Sequence, residues 1–149
     1  MNGLNIDFNK FIPVLKRNSQ HQIFDPIRRK WIHENPEEIV RQVFILYLNQ
    51  ELNYSLARIA VEKQLIYNQM KRRFDLVVYN KSAEPHILIE CKAPMVHFGQ
   101  STFDQAARYN MILKAPYLCI TNGLYAYAAA IRFETQSFDF ISALPEYPF

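Results

Sequence analysis

Two short β-rich runs constrain this chain most: Phe74-Asp75-Leu76-Val77-Val78-Tyr79 and His86-Ile87-Leu88-Ile89-Glu90-Cys91-Lys92. Between them lies the polar stretch Asn80-Lys81-Ser82-Ala83-Glu84-Pro85. Runs of aliphatic and aromatic residues read as strands, and a short polar spacer with a proline reads as a hairpin loop. Antiparallel pairing through that loop sets Tyr79 opposite roughly residue 86 and brings Asp75 level with roughly residue 90, where the second acid stands. Side chains two apart on a strand share a face. Glu90 and Lys92 therefore project together, and Cys91 points to the opposite face.

The remaining elements surround this hairpin. Pro36 opens a helix, with Glu37 and Glu38 at its positive end. Its apolar stripe runs through Ile39, Val40, Val43, Phe44, Leu46 and Tyr47, and the helix fades near Asn53. Arg58 to Tyr67 alternates loosely around Glu62 and reads as a further strand. Pro94 ends the run that holds Glu90, because proline cannot continue a central ladder. Ser101 or Thr102 caps a second helix reaching about Lys114. Pro116 to Thr121 is an apolar strand, Asn122-Gly123 a two-residue hairpin signal, and Leu124 to Ile131 the return strand. The tail, with Phe138, Phe140, Pro145 and Pro148, takes no assignment. Residues 1–35 read as an N-terminal arm or irregular lead-in, in which Arg28-Arg29-Lys30 is a basic run read first as a solvated face, with phosphate contact as the alternative. Residues 36–149 form the domain proper. A helix between strands favours a crossover, so the expected class is α/β, a mixed central β-sheet flanked by helices.

At 149 residues the chain fits one domain with a core of its own. Nine Tyr and eleven Phe make that core rich in rings. A net charge of +3 is compatible with a polyanionic partner and does not by itself point to one. With three glycines and no Gly-x-x-x-x-Gly-Lys-[Ser/Thr] loop, these residues exclude ATP-driven translocation. Cys91 and Cys119 lie in apolar runs without a CxxC neighbour, which suits buried free thiols in a reducing compartment. None of His21, His33, His86 and His97 stands at metal-ligand spacing from another. The N-terminus carries no signal-peptide pattern, and no apolar run approaches the ~20 residues that span a bilayer. The expectation is a cytoplasmic protein with no membrane partner.

Asp75 and Glu90 meeting at one end of a sheet would repel unless a cation sat between them. Hard oxygen ligands with room for water suit Mg²⁺ or Mn²⁺, and the backbone carbonyl of Cys91 could add a ligand. Lys92 on the same face could orient a water or steady charge building on a phosphoryl oxygen. The plain alternative is an ion pair of Lys92 with either acid. Lys71-Arg72-Arg73, just before Asp75, has two readings as well: phosphate contact at the edge of the site, or a solvated turn.

Phe74-Asp75, a spacer, and Ile89-Glu90-Cys91-Lys92 resemble the signature of the PD-(D/E)XK nuclease superfamily. The surrounding blocks are Glu38-Ile39-Val40-Arg41-Gln42, Arg73 to Tyr79, Ile89 to Pro94, Gln105-Ala106-Ala107-Arg108-Tyr109-Asn110 and Thr121-Asn122-Gly123. In that order they resemble the N-terminal domain of type I restriction enzyme R subunits over about residues 36 to 133. The resemblance implies a restriction-endonuclease-like core and a Mg²⁺-dependent, DNA-cleaving site. It implies Asp75 and Glu90 as metal ligands, Lys92 as the catalytic lysine, and Gln105 with Tyr109 as the family's Q-x-x-x-Y element. Residues i and i+4 share a helix face, so Gln105 and Tyr109 can look into one site; their alternative is a Gln cap and a core Tyr. An acid on the first helix often completes such sites: Glu38 is the first candidate and Glu37 the next, with a helix-dipole role as the alternative, and Glu62 stands behind both. Phe74 replaces the superfamily's usual proline, which makes no metal contact. The implied partners are DNA and restriction-system subunits, with a homodimer suited to double-strand cutting. The competing reading is a DNA- or protein-binding module that keeps the fold and cuts slowly or not at all.

Overall fold

The computed structural model describes residues 3–149. A small antiparallel hairpin, β1 (Gln22–Asp25) and β2 (Lys30–His33), leads into helix α1 (Pro36–Leu46). Then come β3 (Ile59–Tyr67), β4 (Met70–Tyr79), β5 (Pro85–Cys91), helix α2 (Gln100–Leu113), β6 (Tyr117–Thr121), β7 (Ala126–Arg132) and β8 (Ser137–Ile141). The last six strands make one sheet in sequence order. Its neighbours are antiparallel except β5 and β6, which run parallel because α2 carries the chain across between them.

Alternation along the strands divides the core into two layers. Ile87, Ile89 and Cys91 of β5 and Cys119 of β6 face α1, where Val40, Val43 and Phe44 pack. Leu88, Leu118 and Ile120 face the other way, onto Phe103 and Ala106 of α2. The sheet is therefore buried on both faces, which explains why these strands read as continuous apolar runs. Phe44 and Phe103 are fully buried, one in each layer, and removing either ring would cost about 3–5 kcal/mol.

Both helices are capped locally. Asn35 accepts the Glu38 N–H at 2.9 Å, with Pro36 at the first helical position. The N-cap of α2 is Gly99, earlier than the expected Ser101 or Thr102, and the Thr102 hydroxyl accepts the Gly99 N–H. At its other end Asn110 is wholly buried, donates to the Ala115 carbonyl at 2.7 Å and accepts the Ala115 N–H at 3.1 Å. These bonds close the last turn around Lys114, whose φ is +57°.

Four stretches differ from the sequence reading. The lead-in is built into the domain: Leu4, Phe8 and Phe11 pack in the α1 layer, so the mixed patterning there reflects tight turns carrying core residues. Met1 and Asn2 of that lead-in lie outside the described residues. Strand β4 begins at Met70, so Lys71, Arg72 and Arg73 are strand residues and not a turn. The turn is Asn68-Gln69, both at positive φ, the conformation a two-residue hairpin needs, here made without glycine. The tail forms β8 and then packs Tyr147 and Phe149 against Tyr54. Beyond Asn122-Gly123 the return strand starts at Ala126, because the Asn122 side chain accepts the N–H groups of Leu124 and Tyr125 and so widens the turn.

Candidate active site

The pairing of β4 with β5 runs Val78 with Ile87, Val77 with Leu88 and Leu76 with Ile89. One step on, Asp75 stands level with Glu90, as the loop count expects. Asp75 sits where β4 departs from regular pairing. Against β3 the ladder passes from Val61–Leu76 to Lys63–Phe74, skipping Glu62 and Asp75, and Glu62 has a φ of +53°. A positive φ on a non-glycine residue is costly, and such irregularities re-aim side chains. Here the consequence is that Asp75 turns across the sheet end. Its Oδ2 accepts the Cys91 N–H at 2.8 Å, and its Oδ1 accepts from the Arg41 guanidinium of α1 at 2.8 Å.

Glu90 and Lys92 do share a face. Both line a cleft of about 250 Å³ with Arg72, Arg73, Gln105 and Tyr109, while Cys91 packs in the opposite layer. Burial pushes the Glu90 carboxyl up to about 8, and the Asp75 carboxylate beside it adds to the rise; Lys92 opposes it only in part. Glu37 is raised as well, first by burial and then by Asp75, against the pull of Arg41 and Lys92. These three acids and Lys92 thus feel one another's charge.

Glu38 and Glu62 belong to a different constellation. Glu38 is 4% exposed. Its carboxylate accepts from Arg41 at 2.7 Å, from Arg28 at 3.0 and 3.1 Å and from Gln42 at 3.2 Å. Arg28 also bonds Asp25 at 2.6 Å, so the run Arg28-Arg29-Lys30 is not wholly a solvated face. Glu62 lies 3.5 Å from Arg41 and 3.6 Å from Arg28. Burial lowers the Arg41 guanidinium pKa, but the Asp75 bond and the Glu38 charge more than reverse this. Arg28 and Arg41 were both missed in the sequence. Arg41 lies beside the apolar stripe of α1 and not in it, so the helical period gave no signal for its burial.

Gln105 donates to the Tyr109 hydroxyl at 3.1 Å, and the Arg72 guanidinium lies 3.4 Å from the Tyr109 ring centroid. That hydrogen bond, with help from Arg72, holds the phenol below its ordinary value. Thr121-Asn122-Gly123 braces the site from behind. The Thr121 carbonyl accepts the Lys92 N–H at 2.8 Å, and the Asn122 amide donates to the Val96 carbonyl at 3.1 Å, fixing the loop after Lys92.

Among the described residues, no three Asp, Glu, His or Cys side chains form a ready-made cation cage. The donor set is nonetheless that of a hard cation. Asp75 and Glu90 offer oxygen only, the Cys91 carbonyl is adjacent in the chain, and Glu90 is raised first by burial and then by the Asp75 charge beside it. Mg²⁺ is commonly held by one or two carboxylates, with water and phosphate filling the other positions. A pair of acids fits that habit. No helix among the described residues is long and apolar enough to cross a membrane.

The family model described as type I restriction enzyme R protein N terminus (HSDR_N) matches residues 36–145. Among solved structures the chain is similar to one described as the fragment of an HsdR subunit of a type I restriction enzyme from Vibrio vulnificus YJ016. The identity is 18% and the TM-score 0.51, over 74% of this chain and 23% of that one. The chain thus spans about a quarter of the length of that fragment, and the likeness is one of fold. No curated protein matches. With the family model covering well over half of its length, the chain belongs to the type I restriction enzyme R protein N-terminus family.

Proposed function

We propose that the cleft over Glu90 and Lys92 is a PD-(D/E)XK-type site that hydrolyses phosphodiester bonds of DNA with Mg²⁺ or Mn²⁺. The observation that carries this reading is the juxtaposition of Asp75 and Glu90 at one sheet end. The buried Glu90 is raised to about 8 beside Asp75, and Lys92 opens into the same cleft. Asp75, Glu90 and the Cys91 carbonyl would hold the cation, with Glu37 as the acid from α1. When bound, the ion would supply a water of lowered pKa and neutralise charge on the phosphoryl group.

The chain's own residues do the rest. Arg41 and the Cys91 N–H fix the Asp75 carboxylate in orientation. Lys92 is an ammonium that Glu90 feels in the same cleft, where it steadies negative charge developing on a phosphoryl oxygen. Gln105 and Tyr109 form the α2 wall, and Arg72 and Arg73 present cations to the phosphates on either side.

One observation favours the competing module that binds without cutting: both oxygens of Asp75 already carry a donor. In either reading the domain works as one part of a restriction-system complex, with DNA and other subunits as partners, and a homodimer would serve double-strand cleavage. The test is cleavage of plasmid and linear DNA with Mg²⁺ or Mn²⁺, beside Asp75→Ala and Lys92→Ala. Cleavage that needs the metal and is lost in both variants supports the hydrolytic reading. Cleavage that survives both substitutions overturns it, and DNA binding without any cleavage selects the module.

A further inference from the structure

We propose that the groove beside the cleft, walled by Tyr67 and Met70 of the β3–β4 turn and by Arg108 and Met111 of α2, binds unpaired nucleotides of a DNA strand. This rests on the nucleic-acid reading of the cleft and adds a subsite to it. The groove measures about 370 Å³ and shares Arg72 and Tyr109 with the cleft. The stacked pair, 3.4 Å from guanidinium to ring centroid, is therefore the ridge over which the two hollows meet. A strand with its phosphate at Lys92 would pass directly across it.

The chemistry of the walls selects the occupant. Tyr67, Met70 and Met111 are 54%, 61% and 43% exposed. Large apolar side chains clustered in water mark a binding surface. The charged residues that line the groove are of one sign, Arg72 and Arg108. The nearby acids look elsewhere. Glu62 lies within 4 Å of Arg28, Arg41 and Arg73. Asp104 is bonded by Gln100 and does not line this groove; it lines the next hollow, which shares Arg108 and Met111 with the groove. An apolar and aromatic platform ringed by cations fits base faces and the phosphates that join them. A duplex keeps its base faces stacked inside and would leave Tyr67 and Met70 with nothing to cover. An apolar protein segment would leave the guanidiniums unpaired. Unpaired nucleotides satisfy both parts.

The test is fluorescence anisotropy of a labelled oligothymidylate of about 12 nucleotides, a length within single-strand site sizes. It is run in EDTA beside a blunt duplex of the same length. The full chain should bind the single strand more tightly than the duplex. Tyr67→Ala with Arg108→Ala should weaken single-strand binding about tenfold and lower the salt dependence by about one phosphate contact. Both side chains are exposed, so the double variant should melt with the wild type; Arg108→Glu provides a second variant, expected to weaken binding further. Unchanged affinity in these variants, preference for the duplex, or no oligonucleotide binding at all would each overturn the proposal. Binding in EDTA needs no hydrolysis. A chain that binds this way but never cuts keeps the subsite and loses the hydrolytic reading; a chain that cuts while the variants bind normally does the reverse.

Discussion

Arg41 on helix α1 donates to Asp75 on strand β4 across 2.8 Å, and the same guanidinium donates to Glu38 across 2.7 Å. Its side chain is 6% exposed. Removing one partner of a buried charge set strands the others, at a cost of about 3–5 kcal/mol. Arg41→Gln should therefore lower the free energy of unfolding in urea by that order. Arg41→Lys should recover only part of it, because one ammonium cannot reproduce the planar fork that reaches both carboxylates. A loss below about 1 kcal/mol, the size of an exposed pair, would show that Asp75 is not held from α1.

Glu90 gives the site a pH signature with a definite sign. Its folded value near 8 stands above the ordinary 4.5. Between those values the folded chain holds a proton that the unfolded chain has released, so stability falls as pH rises through this window and levels above it. The raised Glu37 adds in the same direction. Glu90→Gln cannot ionise, so its stability should fall less steeply, and its advantage over the wild type should grow up to about pH 8. Thermal melts at intervals from pH 5 to 9 read this directly, at about 2–4 °C per kcal/mol for a chain of this size. Parallel curves for the two proteins would mean that Glu90 is not the buried, crowded acid.

The two adjacent acids of α1 should behave oppositely. Glu38 is the anion shared by Arg28, Arg41 and Gln42, so Glu38→Gln should destabilise by about 3–5 kcal/mol. Glu37 is half-exposed, 3.7 Å from Arg41, and feels Asp75 and Lys92. Glu37→Gln should change stability by less than about 0.5 kcal/mol. In the proposed site it should nevertheless weaken Mn²⁺ binding. The readout is the rise in melting temperature with Mn²⁺, which follows the ratio of free ion to dissociation constant. If Glu38→Gln alone abolishes that rise while remaining as stable as the wild type, the roles are reversed.

Much of this arrangement was legible from strand arithmetic. The spacer Asn80 to Pro85 sets the register that levels Asp75 with Glu90, and a period of two puts Glu90 and Lys92 together and Cys91 behind them. Those rules are local. The choice between Glu37 and Glu38 was not legible, because both occupy the first turn of α1 and differ only by the helical rotation that turns Glu38 toward Arg28. Arg28 itself comes from a hairpin that sequence patterning reads as a lead-in. The β3–β4 turn was hidden for a similar reason: Asn68 and Gln69 take positive φ without glycine, so nothing separated Lys71-Arg72-Arg73 from a turn. Glu38 and Arg28 depend on a contact between segments distant in the chain, and the turn on a backbone conformation its residue types do not announce.

Gly123 is the point at which the turn after β6 meets α1. Its φ is +83°, and a Cβ built there would lie 2.8 Å from Cγ2 of Val40. Two separate costs follow for Gly123→Ala: a left-handed conformation that side chains disfavour, and overpacking against a buried valine. The neighbouring bonds cannot relax to absorb it. Thr121 accepts the Gly123 N–H at 3.1 Å, and Asn122, wholly buried, holds both Leu124 and Tyr125. The expected loss is about 2–4 kcal/mol, the sum of about 1 for the backbone and 1–3 for the contact. Adding Val40→Ala to Gly123→Ala removes the close contact and leaves the backbone term. The double variant should therefore lose less than the sum of the two single losses, measured by urea denaturation as a double-mutant cycle. Strict additivity would mean that the turn does not rest on Val40, and with it that Thr121-Asn122-Gly123 does not tie α1 to the strand end carrying Lys92.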